Sequence, residues 1–131
     1  MRKLILVVAA ASVIAGSAFA DMAAPHFVTL QNTDILSSNI VGLDVYDTAN
    51  QKVGTIKDIA FDGAKVVKGY VLSVGGVLGM GSHYVAVDIS SVNVKYDPAD
   101  KKWHANMDAT SDQLKAAPEF KYEGEANASK T

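Results

Sequence analysis

Apolar and polar residues alternate with a period of two through the middle half of the chain. Residues 69–88, GYVLSVGGVLGMGSHYVAVD, hold two such runs on either side of a glycine-rich apolar loop. In the first run Val66, Tyr70, Leu72 and Val74 share one parity, and Val67, Gly69, Val71 and Ser73 share the other. One face is strongly apolar and the other mixed, the pattern of a strand lying on a core. Leu72 and Val74 are therefore expected to point inward. In the second run Val85 and Val87 alternate with Ala86 and Asp88.

The flanking sequence repeats this pattern. Val41, Leu43 and Val45 alternate with Gly42, Asp44 and Tyr46, predicting a strand that ends in turn chemistry at 47–51. Residues 52–62 predict a second strand. Its apolar positions change parity between Ile56 and Ile59, which predicts a β-bulge near Lys57 and Asp58. Asp62-Gly63 signals a hairpin into the next strand. Val92, Val94 and Tyr96, then Trp103, Ala105 and Met107, predict two more strands around a turn at 97–100. Tyr70 and Trp103 read as core aromatics. Thr110 and Gln113 have the spacing of a capping box, Leu114 and Ala117 supply an apolar side, and Pro118 stops the helix. The expected fold is mainly β: a small closed or partly open antiparallel β-barrel with a short C-terminal helix.

The two ends of the chain read differently. Arg2 and Lys3 precede an apolar stretch at 4–15, and Ala18-Phe19-Ala20 fits a small-x-small cleavage box. The apolar run is short for a span of about 20 residues. The expectation is therefore a cleaved signal at 1–20, no stable membrane insertion afterwards, and a periplasmic or secreted product. Residues 21–38 form a leader with little periodicity, 39–109 the barrel, and 110–122 a capping helix and extension. Residues 123–131 are a polar tail with the composition of disordered chain.

Several pieces also agree in order and spacing with a known family. They are Gly42, Val45 and Asp47, then the run VGTIKD at 53–58, VLSVGGVLG at 71–79, and YVAV at 84–87. Over roughly residues 39–95 the chain resembles the PRC-barrel family, the small β-barrel of the photosynthetic reaction centre H subunit and of a ribosome-maturation factor. Asp88 departs from the pattern, since many relatives carry proline there. The resemblance implies the barrel fold and no particular reaction.

Composition narrows the chemistry. With no cysteine there is no disulfide, thiol nucleophile, thiolate metal site or lipoprotein anchor. Loss of residues 1–20 would leave 10 basic against 14 acidic side chains, a net charge of −4. The lysines are scattered, so nucleic acid is not an expected partner. Gly75, Gly76, Gly79 and Gly81 lack the lysine and following helix of a phosphate loop. His26, His83 and His104 have no metal-ligand spacing, and no metal or cofactor is expected. Asp58 and Asp62 read as solvated carboxylates, with Asp58 a candidate structural anchor. The serines lack a nucleophile-elbow context, so no catalytic residue is expected. The expected role is a non-enzymatic protein-interaction or assembly module, through an unknown protein partner or self-association. Val77, Leu78 and Met80 form its candidate interaction loop. The alternative is a small-ligand or metal-sensing protein that uses the barrel mouth under that loop.

Overall fold

The computed structural model describes residues 24–75 and 83–128. The chain divides between Asn32 and Thr33 into two units. In the first, residues 24–31 carry neither helix nor strand, and Phe27 is 93% exposed. In the second, α1 (Ser37–Ile40) is followed by β1 (Asp44–Tyr46), β2 (Lys52–Phe61), β3 (Val67–Val74), β4 (His83–Asp88), β5 (Val92–Asp97) and β6 (Lys102–Met107). The helix α2 (Ser111–Ala116) closes the series, with short 3₁₀ turns at Ile89–Ser91 and Gly124–Asn127.

These strands make one twisted sheet in the order β4-β3-β2-β1-β6-β5. Neighbours run antiparallel except β1 and β6, which pair in parallel with Val45 opposite Ala105. Alternation has the same period in both directions, so the sequence could not show that difference. Among the described residues β4 and β5 share no ladder, and the barrel is partly open.

Three hairpin turns are built alike, from an Asp-x-Ala sequence. The carboxylate of Asp47, Asp62 or Asp97 accepts the N–H of Ala49 (2.9 Å), Ala64 (2.8 Å) or Ala99 (2.9 Å). This is the Asx-turn geometry that makes aspartate a turn residue. A left-handed residue then completes each turn: Asn50 at φ 60°, Lys65 at φ 65° and Lys101 at φ 59°. At the Asp62-Gly63 hairpin the left-handed position is thus Lys65. Asp62 fixes the turn by also accepting the Val66 N–H at 3.1 Å, and Val66 lies in the turn, 60% exposed, instead of on the strand's apolar face.

The bulge falls where the parity change predicts it. The β2–β3 register passes from Ile56 opposite Leu72 to Asp58 opposite Val71, which leaves Lys57 as the extra residue. Ile56 and Ile59 both pack on the core as a result, and Asp58 moves to the outer face. Val45, Ile56, Leu72 and Val74 are the largest fully buried side chains. Ile40, Val53, Tyr70, Val85, Val92, Ala105, Met107 and Leu114 complete the layer around them. Trp103 is only half-buried and meets the exposed ring of Tyr96 at 5.5 Å with the planes tilted by 57°, so it belongs to the barrel's outside edge more than to the core.

Gly69 sets how closely β3 and β4 approach. A Cβ built there would lie 2.1 Å from the Val87 carbonyl oxygen, a distance that only glycine avoids. At the other end of β4, Asp88 does the work that a proline would do elsewhere. Its carboxylate accepts the Ser90 N–H at 2.8 Å and the Ser90 hydroxyl, capping the 3₁₀ turn and ending the strand. The Ser90 hydroxyl first, and its N–H second, hold the Asp88 carboxyl below the ordinary aspartate range.

The capping box of α2 is complete. Gln113 Oε1 accepts the Thr110 N–H at 2.9 Å, and Thr110 Oγ1 accepts the Gln113 N–H at 3.2 Å. Leu114 is buried against the sheet, and Ala117 turns to extended backbone just before Pro118.

Candidate interaction surface

The two faces of β3 carry different surroundings. Tyr70, Leu72 and Val74 face the core, whereas Gly69, Val71 and Ser73 face outward. Pairing places Ala60 and Asp88 beside Gly69, Asp58 and Ala86 beside Val71, and Tyr84 beside Ser73. Val71 is nevertheless buried.

The C-terminal extension lies against this outer face. Residues 118–122 form a strap that leaves α2 in extended conformation. The Phe120 N–H donates to the Tyr84 carbonyl at 2.7 Å and makes one antiparallel bridge at the outer edge of β4. Tyr122 meets Tyr84 edge-on at 5.4 Å and Phe120 at 5.0 Å. Its hydroxyl donates to Asp58 Oδ2 at 3.2 Å, and Asp58 Oδ1 accepts the Ile59 N–H at 3.0 Å. Asp58 therefore joins the bulge to the strap. Burial first, then the charge and hydrogen bond of Asp58, push the Tyr122 hydroxyl up to about 12.

Below the strap the same face is bare. Ala60, Lys68, Gly69, Tyr70, Ala86, Val87 and Asp88 line an apolar depression of about 260 Å³. Phe61 is 57% exposed at this end of β2, and Val66 and Ile89 are exposed close by in the register.

Gly75, the first residue of the glycine loop, takes a left-handed φ of 72° and turns the chain away from β3. Gly76, Val77, Leu78, Gly79, Met80 and Gly81 lie outside the described residues.

Polar groups gather elsewhere. A recess of about 490 Å³ is bordered by Asp47, Asn50, Ser90, Asn93, Asn106 and Asp108, with no cation in its lining. Of the histidines, His26 is exposed in the first unit, and His83 Nε2 lies 3.4 Å from the Leu114 carbonyl. His104 lies 2.6 Å from Asp100 Oδ2, and Asp97 joins them so that one ligand atom from each falls within 4.8 Å of the others. Crowding by neighbouring atoms raises the Asp100 pKa, but hydrogen bonds from His104 and the Lys102 N–H, with their charges, outweigh it and leave the carboxyl below its usual range. The spacing Asp-x-x-Asp-x-x-x-His carries that cluster in the sequence. Histidine spacing alone misses it, because its other members are carboxylates. The Phe-x-Tyr alternation at 120–122 is the corresponding signal for the strap.

The family model for the PRC-barrel domain matches residues 32–103. That span and the six-stranded, partly open sheet place the chain in the PRC-barrel domain family. No curated protein matches it.

Proposed function

We propose that this chain is an exported β-barrel that works, without catalysis, as a protein-interaction or assembly module. The observation that supports this most is the apolar depression on the outer β2–β3–β4 face, lined by Ala60, Gly69, Ala86 and Val87 among others, with Phe61, Val66 and Ile89 exposed at the same end of these strands. Contiguous exposed apolar surface on a small domain marks a contact site more often than it serves stability. The loop residues Val77, Leu78 and Met80 extend the same reading as apolar side chains interleaved with glycines in the sequence. Export rests on the signal pattern at 1–20.

Crosslinking of the exported protein in periplasm, followed by pull-down and mass spectrometry, tests the reading. A defined partner or a defined oligomer is expected. The pairs Phe61→Ser with Val66→Ser, and Leu78→Ser with Met80→Ser, should each weaken capture with little change in melting point. Capture unchanged in both pairs would remove the apolar surface from the account.

A second reading, metal sensing, is favoured by the meeting of Asp97, Asp100 and His104. One imidazole and two carboxylates suit a borderline divalent ion such as zinc. Zinc would then raise the melting point by linkage, and His104→Ala would abolish that rise. A melting point indifferent to zinc rejects this reading and leaves the first intact.

A further inference from the structure

The strap meets β4 in a way that leaves the strand's edge unfinished. Tyr84 turns its carbonyl away from β3 to accept the Phe120 N–H. By the period of two, Ala86 and Asp88 turn their backbone groups the same way. Among the described residues no backbone bond reaches Ala86 from that side. The bridge of Phe120 with Tyr84 is antiparallel. Counting back along the strap in the same register sets Pro118 opposite Ala86. Proline has no N–H, so the strap cannot extend its ladder there. The strap is held to the sheet instead by one backbone bond, one side-chain hydrogen bond and the ring contact of Tyr122 with Tyr84.

Shape continues where the strap stops. Phe120 and Tyr122 share the parity of position 118 and lie over the outer face. The next side chain of that parity would project toward Ala86 and Gly69, where the apolar depression of about 260 Å³ lies. The chain thus shows both halves of a strand-addition site: a seated strand with alternate aromatic side chains, and beyond it a free edge with an apolar pocket. Main-chain bonds supply affinity in such sites, and pockets for alternate side chains supply selectivity.

We propose that the outer edge of β4, from Tyr84 to Asp88, receives an extended segment of a partner protein as an added antiparallel strand. That segment carries apolar or aromatic side chains at alternate positions and no proline opposite Ala86. The chain's own strap occupies the Tyr84 end as a weaker, removable competitor. The inference rests on the module reading and names the edge and the chemistry of its partner.

The test uses the full chain and a fluorescent heptapeptide, acetyl-Ala-Val-Glu-Phe-Lys-Tyr-Glu-amide, which copies the strap with valine in place of its proline. Anisotropy titrations compare the parent chain with the variant Phe120→Ala, Tyr122→Ala, in which the strap is released. Binding should tighten on the order of tenfold or more in the variant, because the peptide no longer competes with a tethered strand at high effective concentration. The peptide with proline restored should bind more weakly. Ala86→Pro, added to the released-strap variant, should lose binding. Its N–H points away from β3, so the inner ladder survives the change. A peptide N-methylated at its valine removes the opposite bond of that pair, from the valine N–H to the Ala86 carbonyl, without altering the protein, and should also fail. Equal affinity across these proteins and peptides overturns the proposal. So does a released-strap variant that dimerises through this edge, which would make a second copy the occupant. Loss of the peptide effect while the chain still captures a periplasmic partner rejects the strand-addition site and leaves the module reading standing.

Discussion

The inner and outer faces of β3 are separated by one residue of parity, yet they are finished to very different degrees. On the inner face Leu72 and Val74 are fully enclosed by Val45, Ile56, Val85 and their neighbours. On the outer face Val71 is buried beside Asp58, to which the strap is tied, and Gly69 is left beside an open apolar depression. The inner face accounts for the fold; the outer face is where apolar surface remains for something else to cover.

That contrast can be broken most forcefully from the inside. Leu72→Ala should cost ~2–5 kcal/mol, as a buried leucine truncated in a core that cannot collapse around it. Denaturant unfolding measures it, and a change under about 0.5 kcal/mol, the range of neutral surface substitutions, would assign the strand's parity wrongly. Gly69→Ala probes the boundary between the faces. A Cβ 2.1 Å from the Val87 oxygen forces β4 outward, with an expected cost of ~1–3 kcal/mol from overpacking. A melting curve unchanged by this substitution would mean that β3 and β4 are not held so close.

The outer face should respond more weakly. Tyr122→Phe removes the hydroxyl that donates to Asp58 and should cost ~0.5–1.5 kcal/mol. Its pH dependence sharpens the comparison. Tyr122 holds its proton up to about 12 in the folded chain, against 10.0 for an ordinary tyrosine. Its contribution is therefore complete below pH 10 and is lost as pH rises through 12. The parent chain should lose stability across that window, and Tyr122→Phe should lose less; identical slopes would remove Tyr122 from the strap's anchorage. The smallest effect belongs to Val66→Ser, an exposed turn position, where a change within about 0.5 kcal/mol is expected. Its consequence should appear in association, read by sizing and crosslinking.

Much of this was legible in the sequence because barrels are written in local alternation. The strands, the bulge between Ile56 and Ile59, the hairpin at Asp62 and the capping box of Thr110 and Gln113 all depend on neighbours a few residues apart. Strand direction was not legible: β1 and β6 run parallel, and alternation is blind to direction. Nor was α1, whose four residues are too few to show a helical period. The strap escaped notice for a different reason. Phe120 and Tyr122 make sense only opposite Tyr84 and Asp58, up to 64 residues away in sequence. Asp97, Asp100 and His104 were missed for another reason: they are close in sequence, but the two carboxylates read locally as turn residues.

Among the described residues the sheet ends at β4, bridged by the strap only at Tyr84, and at β5, and the proposed docking edge is β4. Site-specific photo-crosslinking in periplasm compares them directly, with the photo-reactive side chain placed at Ala86 on β4 or at Lys95 on β5. A discrete crosslinked partner band is expected from position 86 and none from position 95. Bands of equal strength from both positions, or a band from position 95 alone, would contradict it.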